Sequence, residues 1–379
     1  MLDYETLRLI WWGLLGVLLI GFAIADGFDL GVASLLPFVA KKDEERRIVI
    51  NTVGPVWEGN QVWLILAGGA AFAAWPSLYA VSFSGFYLAI FLALFGLILR
   101  PVGFKFRSKM PSSAWRQTWD ILLFFGGVVP SLIFGVAVGN LFLGASFHFD
   151  DLLRVIYTGT FWELLTPFPL LCGLLSVTMI VLHGGVYLIA KTNDPIAQRA
   201  RIIVIISALT AIILFAVGGI ACAWQLNGFQ YLSAIIGDAP SNPLGKEVVL
   251  MKGAWLHNYT LYPWMMIAPA LGFSGYIGVI PAVMGRYEKF SFILSAMSIF
   301  GIISTVGLSL YPFILPSATH PGHSLTIWDA SSSQLTLFIM LLGVIIFLPI
   351  VLIYTSWVYR VLRGKVTPEI LEENQTNAY

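Results

Sequence analysis

Three carboxylates stand within or beside strongly apolar runs of this sequence, and proton transfer is the chemistry that suits them. Asp26 and Asp29 lie in IADGFDLG, and Glu58 lies in PVWEGNQVW. A carboxyl group suits a proton relay because its surroundings can tune its proton affinity into the neutral range. The three residues are therefore candidates for a proton path, along which Asn60 and Gln61 could order water.

The elements that must position these carboxylates are membrane helices. Of the 379 residues, 58% are hydrophobic and 11% are charged, whereas a soluble domain carries about 25% charged residues. Apolar runs recur at about the 20-residue length that crosses a hydrocarbon core. The composition predicts an all-α integral membrane protein with one polytopic domain over residues 1–379, and the net charge of +1 argues against a nucleic-acid partner.

Hydropathy predicts about nine transmembrane helices, which could form two four-helix bundles plus one extra helix. The predicted spans are 8–28, 53–75, 78–99, 118–143, 166–190, 202–224, 260–284, 291–316 and 334–359. The stretch GVASLLPFVA at 31–40 is too short to span and is expected at the cytoplasmic surface. Residues 360–379 are predicted to form a short polar cytoplasmic tail.

The basic residues orient these helices. Seventeen of the 21 Lys and Arg residues fall in every second connection and in the carboxyl-terminal tail, and the other four are Arg8, Arg154, Lys246 and Lys252. Cytoplasmic loops of membrane proteins carry an excess of Lys and Arg. The alternation therefore predicts an odd number of helices, with the amino terminus outside and the carboxyl terminus in the cytoplasm.

This orientation brings four charged residues into the cytoplasmic half of the predicted helices: Asp26, Asp29, Glu58 and Arg100. The depth of Glu58 depends on where the second helix begins. If Pro55 takes the first helical position, where proline is favoured, Glu58 lies in the first turn. If the helix begins near Ile48, Glu58 is about 15 Å deep at 1.5 Å per residue.

Two interpretations of these charges are equally supported by their spacing. A charge at the bilayer centre costs about 3 kcal/mol or more, so it usually faces a partner or water. The first interpretation is a proton-uptake route with Asp26 and Asp29 at its mouth and Glu58 further in. The second is a structural cluster in which Arg100 pins three helices together, and ion binding is a weaker third.

Other candidate residues have simpler interpretations. His183, in VLHGGVYL, could ligate a haem, but a b-type haem usually needs a second axial ligand, and no such pairing is evident. Cys172 and Cys222 fit buried thiols, and Asp329 with the serines that follow it is expected to cap the last helix. The sequence predicts no metal site, phosphate loop or nucleophile triad.

Several long motifs resemble subunit II of the cytochrome bd-type quinol oxidases, and the likeness runs in order along essentially the whole chain. The motifs are DGFDLG at 26–31, ERRIVINTVGPVWEGNQVWLILAGGAAFAAWP at 45–76, FSGFYLAIFLALFGLILRPVGF at 83–104 and WDASSSQLTL at 328–337.

The resemblance implies a role in aerobic respiration in the bacterial inner membrane. Such a complex oxidises quinol and reduces dioxygen to water without pumping, yet it builds a proton gradient by releasing protons outside and taking them up from the cytoplasm. The implied partners are a larger subunit I, one or more single-helix subunits, lipid and quinone. Subunit I holds two haems b and one haem d, so this chain would ligate no haem or metal.

The resemblance also assigns roles to individual residues. The acid of the family motif W-D/E-G-N-Q-V-W is Glu58 here, a position often held by aspartate, and Arg100 matches the R-P-V/L-G/A-F motif. The implied proton path consists of Glu58, Asp26 and Asp29. The residues that would line or support it are Asn60, Gln61, Trp57, Trp63 and Arg100.

Two further functions compete with an enzyme subunit. A proton-coupled transporter also carries carboxylates inside a helix bundle, but carriers usually have repeated halves and broken helices, neither of which is evident in the sequence. A passive scaffold would hold the haem-bearing subunit without any titrating group. The scaffold and the relay differ in whether Glu58 changes its protonation state in function.

Overall fold

The computed structural model describes residues 2–369, most of them in long apolar helices. The helices are α1 (Tyr4–Val39), α2 (Asp43–Val53), α3 (Trp57–Ala74), α4 (Pro76–Gly85), α5 (Tyr87–Phe106), α6 (Ser113–Leu143), α7 (Pro167–Lys191), α8 (Ile196–Trp224), α9 (His257–Leu261), α10 (Ile267–Met284), α11 (Glu288–Leu310) and α12 (Gln334–Val361). Short 3₁₀ helices span Arg107–Lys109, Phe161–Leu165, Ala254–Leu256, Pro263–Met266 and Pro321–His323. The strands are β1 (Phe147–Phe149), β2 (Val155–Tyr157), β3 (Asn227–Tyr231), β4 (Val248–Lys252), β5 (Phe313–Leu315) and β6 (Leu325–Thr326).

The predicted all-α membrane fold is confirmed. Within the described range, eight helices are long and apolar enough to cross a membrane, namely α1, α5, α6, α7, α8, α10, α11 and α12. Helices α3 and α4 are bent by 119° relative to each other, and as one span they bring the number to nine. The bend falls at the junction of Trp75 and Pro76, where proline restricts the preceding residue to non-helical backbone angles.

Helix α1 is longer than the predicted span 8–28 and continues through residues 31–39. The helix begins after Asp3, whose carboxylate accepts a hydrogen bond from the Thr6 backbone N–H at 2.6 Å, and it runs for 36 residues. Residues 31–40 are almost all buried. Buried backbone away from water must satisfy its own hydrogen bonds, and a helix does this within the segment.

A glycine contact shows how closely this extended part of α1 packs. A Cβ atom added to Gly31 would collide with the Ile180 carbonyl oxygen of α7, and one added to Gly184 would lie 2.5 Å from the Gly31 carbonyl carbon. Helices approach this closely only where both carry small residues. The pair therefore fixes α1 against α7.

The second predicted span begins later than expected. Helix α2 ends at Val53, a short turn follows, and α3 starts at Trp57. Pro55 lies in that turn rather than at the first helical position, and because it has no N–H it cannot continue the hydrogen-bond ladder of α2. Glu58 falls in the first turn of α3, as the first of the two predicted alternatives required.

The packing places α1 at the centre of the bundle. It contacts α3, α6, α7 and α11, and α5 packs on α6. Helix α3 meets α5 where the Trp57 and Phe104 rings lie 6.3 Å apart. Helices α7, α8, α10 and α11 form a ring in which each contacts the next. Helix α12 lies outside this ring and packs against α1 and α3.

Three antiparallel β-hairpins cover one end of the bundle, here called the hairpin end, where the sequence predicted only loops. They pair β1 with β2, β3 with β4 and β5 with β6. Arg8 is buried beneath them and donates hydrogen bonds to Ser331 Oγ at 2.7 Å, to the Gly237 carbonyl oxygen at 2.5 Å and to Ser241 Oγ at 3.1 Å. This one guanidinium joins three separate chain segments.

A serine of the predicted stretch caps the last helix, whereas Asp329 does not. Helix α12 begins after Ser333, whose hydroxyl accepts a hydrogen bond from the Thr336 backbone N–H at 3.3 Å. Asp329 instead pairs with Lys246 Nζ at 2.8 Å. Lys246 is buried, and a buried ammonium group is costly unless a carboxylate pairs with it. The N-terminus of α12 is already capped by Ser333.

Three histidines meet at the hairpin end. The ring centroids of His148 and His320 lie 4.7 Å apart, and those of His320 and His323 lie 5.1 Å apart. His323 Nδ1 accepts the Phe149 backbone N–H at 3.0 Å. Burial, followed by the charges of the other two histidines and of Lys246, lowers the pKa of His323.

We expect acid to weaken this contact. Because its pKa is lowered on folding, neutral His323 contributes stability that is complete above its unfolded pKa of about 6.5 and is lost as pH falls towards the folded value. Protonated Nδ1 also cannot accept from Phe149. Hydrogen exchange, corrected for intrinsic pH dependence, should show the Phe149 amide losing about fivefold protection between about pH 7.5 and 5.

The control is His323→Gln, whose side-chain oxygen accepts a hydrogen bond without titrating. Its protection at the Phe149 amide should depend much less on pH. Equal pH dependence in both proteins would contradict the assignment of this effect to His323.

Candidate functional site

A fully buried ion pair lies at the centre of the site. Arg100 of α5 donates from both terminal nitrogens to Asp26 of α1, at 3.0 Å and 2.9 Å, and neither side chain has exposed surface. Two parallel hydrogen bonds give a carboxylate and a guanidinium their strongest pairing. Such geometry is what allows both charges to remain inside an apolar bundle.

Asp29 lies one helical turn beyond Asp26 and is also fully buried. The Asn60 side-chain amide donates to Asp29 Oδ2 at 2.7 Å, whereas Oδ1 accepts no hydrogen bond from any described residue. The two buried carboxyls therefore differ in their partners, because the guanidinium of Arg100 is paired with Asp26. Asp29 has an amide as its partner where Asp26 has a guanidinium.

The hydrogen-bonded chain continues from Asp29 to a residue that the sequence analysis missed. The Tyr359 hydroxyl donates to Asn60 Oδ1 at 2.6 Å, so one amide joins Asp29 on α1 to Tyr359 on α12. Nothing in the sequence could have identified this tyrosine, because it lies 299 positions from its partner.

Glu58 lies apart from this cluster, on the surface of the chain. Its side chain is 67% exposed and faces Lys105 Nζ at 3.4 Å, while Asp26 and Asp29 lie in the interior. Residues two apart on a helix point to different sides. Helix α3 therefore directs Asn60 into the bundle and Glu58 out to the surface of the chain.

The remaining predicted residues of α3 differ in what they contact. Trp57 is buried against Phe104, and Trp63 packs on α1, where a Cβ atom on Gly21 would lie 2.5 Å from its ring. Gln61 is half-buried. The two tryptophans are therefore positioned to hold α3 against α1 and α5, which keeps Asn60 turned towards Asp29.

A second charged network near α2 also went unpredicted. Asp120 of α6 accepts from buried Arg107 at 2.6 Å and from Arg46 at 2.6 Å, and Asp43 pairs with both Arg107 and Arg116 at 2.8 Å. The available signal was a lone aspartate near the start of the apolar run 118–143. The network fastens α2 across the ends of α5 and α6.

Helix α2 has one further polar anchor. Glu45 accepts from Arg199 of α8 at 2.7 Å and from the Lys41 and Lys42 backbone N–H groups. Burial alone would raise the pKa of Glu45, but these hydrogen bonds together lower it. Its carboxylate thus stays ionised and ties α8 to the segment between α1 and α2.

His183 does not fit a haem ligand. Its Nδ1 lies 2.8 Å from Ser295 Oγ and its Nε2 lies 3.0 Å from the Ile24 carbonyl oxygen, so both ring nitrogens are engaged. Over residues 2–369, His, Cys, Asp and Glu side chains form no group of three that could hold a metal ion.

The fold and the site together define a polytopic membrane protein whose interior holds two buried carboxyls, one of them paired with a guanidinium. Comparison with known proteins identifies the family. The profile of the family "Cytochrome bd terminal oxidase subunit II" matches residues 7–362. The chain belongs to this family, and it is an integral protein of the bacterial inner membrane.

Relatives match over their full length. The chain is 47% identical to "Probable cytochrome oxidase subunit 2" of Haemophilus influenzae and 46% identical to "Cytochrome bd-I ubiquinol oxidase subunit 2" of Escherichia coli, with 100% of both chains covered in each case. It is 29% identical to "Cytochrome bd ubiquinol oxidase subunit 2" of Bacillus subtilis, over 96% of this chain and 97% of the relative.

The fold also matches a solved structure. A chain of the bd oxidase from Geobacillus thermodenitrificans superposes with a TM-score of 0.63 at 16% identity, covering 94% of this chain and 98% of the other. At this identity the likeness establishes the shared fold.

Removing one partner of the buried pair should be severely destabilising. Arg100→Gln leaves Asp26 without its counter-charge, which costs about 3–5 kcal/mol in buried pairs. We expect a large fall in the melting temperature of the purified complex. Arg100→Gln combined with Asp26→Asn should recover part of it, and Lys105→Gln, at an exposed pair, should have little effect. A wild-type melting temperature for Arg100→Gln would contradict the role of the pair.

Proposed function

We propose that this chain is the non-catalytic second subunit of a quinol-oxidising, dioxygen-reducing terminal oxidase and that it contributes a cytoplasmic proton-uptake path. The complex would be non-pumping but electrogenic, generating a proton gradient during aerobic respiration. The quinol substrate follows from the full-length similarity to relatives whose names specify ubiquinol.

The observation that supports the proton path is the pair of buried carboxyls of which one is paired with a guanidinium and the other is not. Asp26 is engaged by Arg100 in a bidentate pair, whereas Asp29 accepts one hydrogen bond from an amide. A charge inside a membrane protein is expensive unless it is paired or used. Asp29 would therefore be the inner proton-holding group of this subunit, with Asp26 and Arg100 setting the charge around it.

Glu58 would collect protons at the surface of the subunit. We place the hairpin end outside and the α2 end in the cytoplasm, in keeping with the basic connections. In the isolated chain the Glu58 side chain is exposed, and Lys105 lies beside it. On this proposal it faces subunit I, so that protons pass across the interface rather than through α3, with half-buried Gln61 ordering water nearby.

The redox groups would belong to the partner. His183, the candidate haem ligand considered from the sequence, does not fit that role, since both of its ring nitrogens are engaged. The proposal therefore assigns two haems b and one haem d to subunit I. The apolar outer faces of α5 and α12, which include Phe91, Phe95 and Ile353, are exposed and would be covered by subunit I, by single-helix subunits, by lipid or by quinone.

A passive scaffold is the second candidate. The bidentate Asp26–Arg100 pair favours it, because such a pair holds α1 and α5 together without any change of protonation. The two functions differ in what Glu58 and Asp29 do.

Glu58→Gln should slow turnover while leaving the complex intact. Glutamine keeps the size and polarity of the side chain but cannot carry a proton. We expect quinol-driven oxygen consumption per haem to fall by about tenfold or more, with normal haem content. Glu44→Gln alters another exposed glutamate near the same end and should behave as wild type. Normal turnover of Glu58→Gln would leave the scaffold as the better function.

A reduced-minus-oxidised absorption spectrum tests the complex itself. The spectrum of the tagged chain, purified in mild detergent from its native membrane, should show the bands of haem b and haem d from its partner. A haem-free spectrum from intact, folded protein would overturn the oxidase function and favour a transporter.

A further inference from the structure

We infer that Tyr359 is a positioning residue for proton holding by Asp29, acting through the Asn60 amide. The inference rests on the proposed function and adds a residue that neither the motifs nor the family comparison identified. It follows from the direction of two consecutive hydrogen bonds, Tyr359 Oη to Asn60 Oδ1 at 2.6 Å and Asn60 Nδ2 to Asp29 Oδ2 at 2.7 Å.

The direction of this chain is set by chemistry. An ionised carboxylate only accepts hydrogen bonds, so the donor end of the amide must face Asp29. The acceptor end then faces Tyr359, whose hydroxyl can donate. A phenylalanine in place of Tyr359 would leave Asn60 Oδ1 buried without this partner, and the amide would lose the contact that fixes which end points at Asp29.

This arrangement also assigns the oxygen of Asp29 that receives the proton. Asn60 occupies Oδ2, and Oδ1 has no hydrogen-bond partner among residues 2–369. Held by Asn60 on one side, the carboxyl presents Oδ1 as the basic atom. Tyr359 therefore acts on Asp29 indirectly, by holding the Asn60 amide in the orientation that donates to the carboxyl.

The cytoplasmic end of α12 is anchored in a way that suits this role. Helix α12 packs only at the edge of the bundle, yet the segment beyond it is tied down. Lys191 Nζ donates to the Leu362 carbonyl oxygen at 2.7 Å, the Val366 backbone N–H donates to the Lys191 carbonyl oxygen at 2.8 Å, and Lys365 pairs with Glu288 at 2.9 Å. These contacts hold the end of α12 near α7 and α11 and so keep the tyrosine beside Asn60.

The Tyr359 ring has its own packing partner, which separates its structural role from its polar role. The ring lies edge-on to Phe28, with centroids 6.3 Å apart. Tyr359→Phe keeps this ring contact and removes only the hydroxyl, so assembly of the complex and its haem content should be unchanged.

The test compares Tyr359→Phe, Asp29→Asn and Tyr354→Phe in the intact complex. Tyr354 is an exposed tyrosine five positions earlier on α12 and serves as the matched control. Two quantities are measured: quinol-driven oxygen consumption per haem, and the infrared C=O stretching band of the protonated Asp29 carboxyl, identified by its loss in Asp29→Asn. A purely structural role for Tyr359 would not move that band.

We expect Tyr359→Phe to shift the Asp29 band and to lower oxygen consumption by about fivefold, the effect of one lost hydrogen bond, while Tyr354→Phe matches wild type. An unshifted band or wild-type turnover in Tyr359→Phe, with Asp29→Asn still slow, overturns this inference alone. Normal turnover of Asp29→Asn overturns the proposed role of Asp29, and this inference with it.

Discussion

The buried pair of Asp26 and Arg100 is the interaction on which the rest of the site depends. Charges without exposed surface can remain in an apolar bundle only when their hydrogen bonds are nearly complete. The pair joins α1 to α5 in a bidentate contact. Because Arg100 pairs with Asp26, Asp29 has no cation partner among residues 2–369, and the Asn60 amide donates a hydrogen bond to it instead.

The helices around this pair are arranged to hold it in place. Glycines at the contact of α1 and α7 let the central helix lie deep among its neighbours. Trp57 and Trp63 fix α3 on its two sides, so that Asn60 points inward. At the α2 end, Asp120 binds Arg107 and Arg46 and fastens the short helix α2 over α5 and α6. Several independent contacts thus keep the buried carboxyls in one geometry.

One helix separates two kinds of carboxyl chemistry. On α3, Glu58 faces outward in the first turn, where the helix dipole favours a negative charge, and Asn60 faces the buried pair. The exposed carboxyl of Glu58 is accessible to water or to a partner surface, whereas the buried carboxyl of Asp29 is shielded from both. A path made from both would need an external step at the interface with subunit I and an internal step governed by hydrogen-bond direction.

The sequence by itself determined the membrane class and the family and predicted about nine spans, because hydropathy, basic loops and long motifs are local features of the chain. It also identified Asp26, Asp29, Glu58 and Arg100 as unusual residues, since each carries charge in or beside an apolar run. Only the tertiary structure decided that Arg100 pairs with Asp26, that the Glu58 side chain is exposed on the surface of the chain, and that Tyr359 and Asp120 take part in polar networks. Depth and pairing depend on how helices far apart in sequence pack, and the spacing of residues along the chain does not encode that.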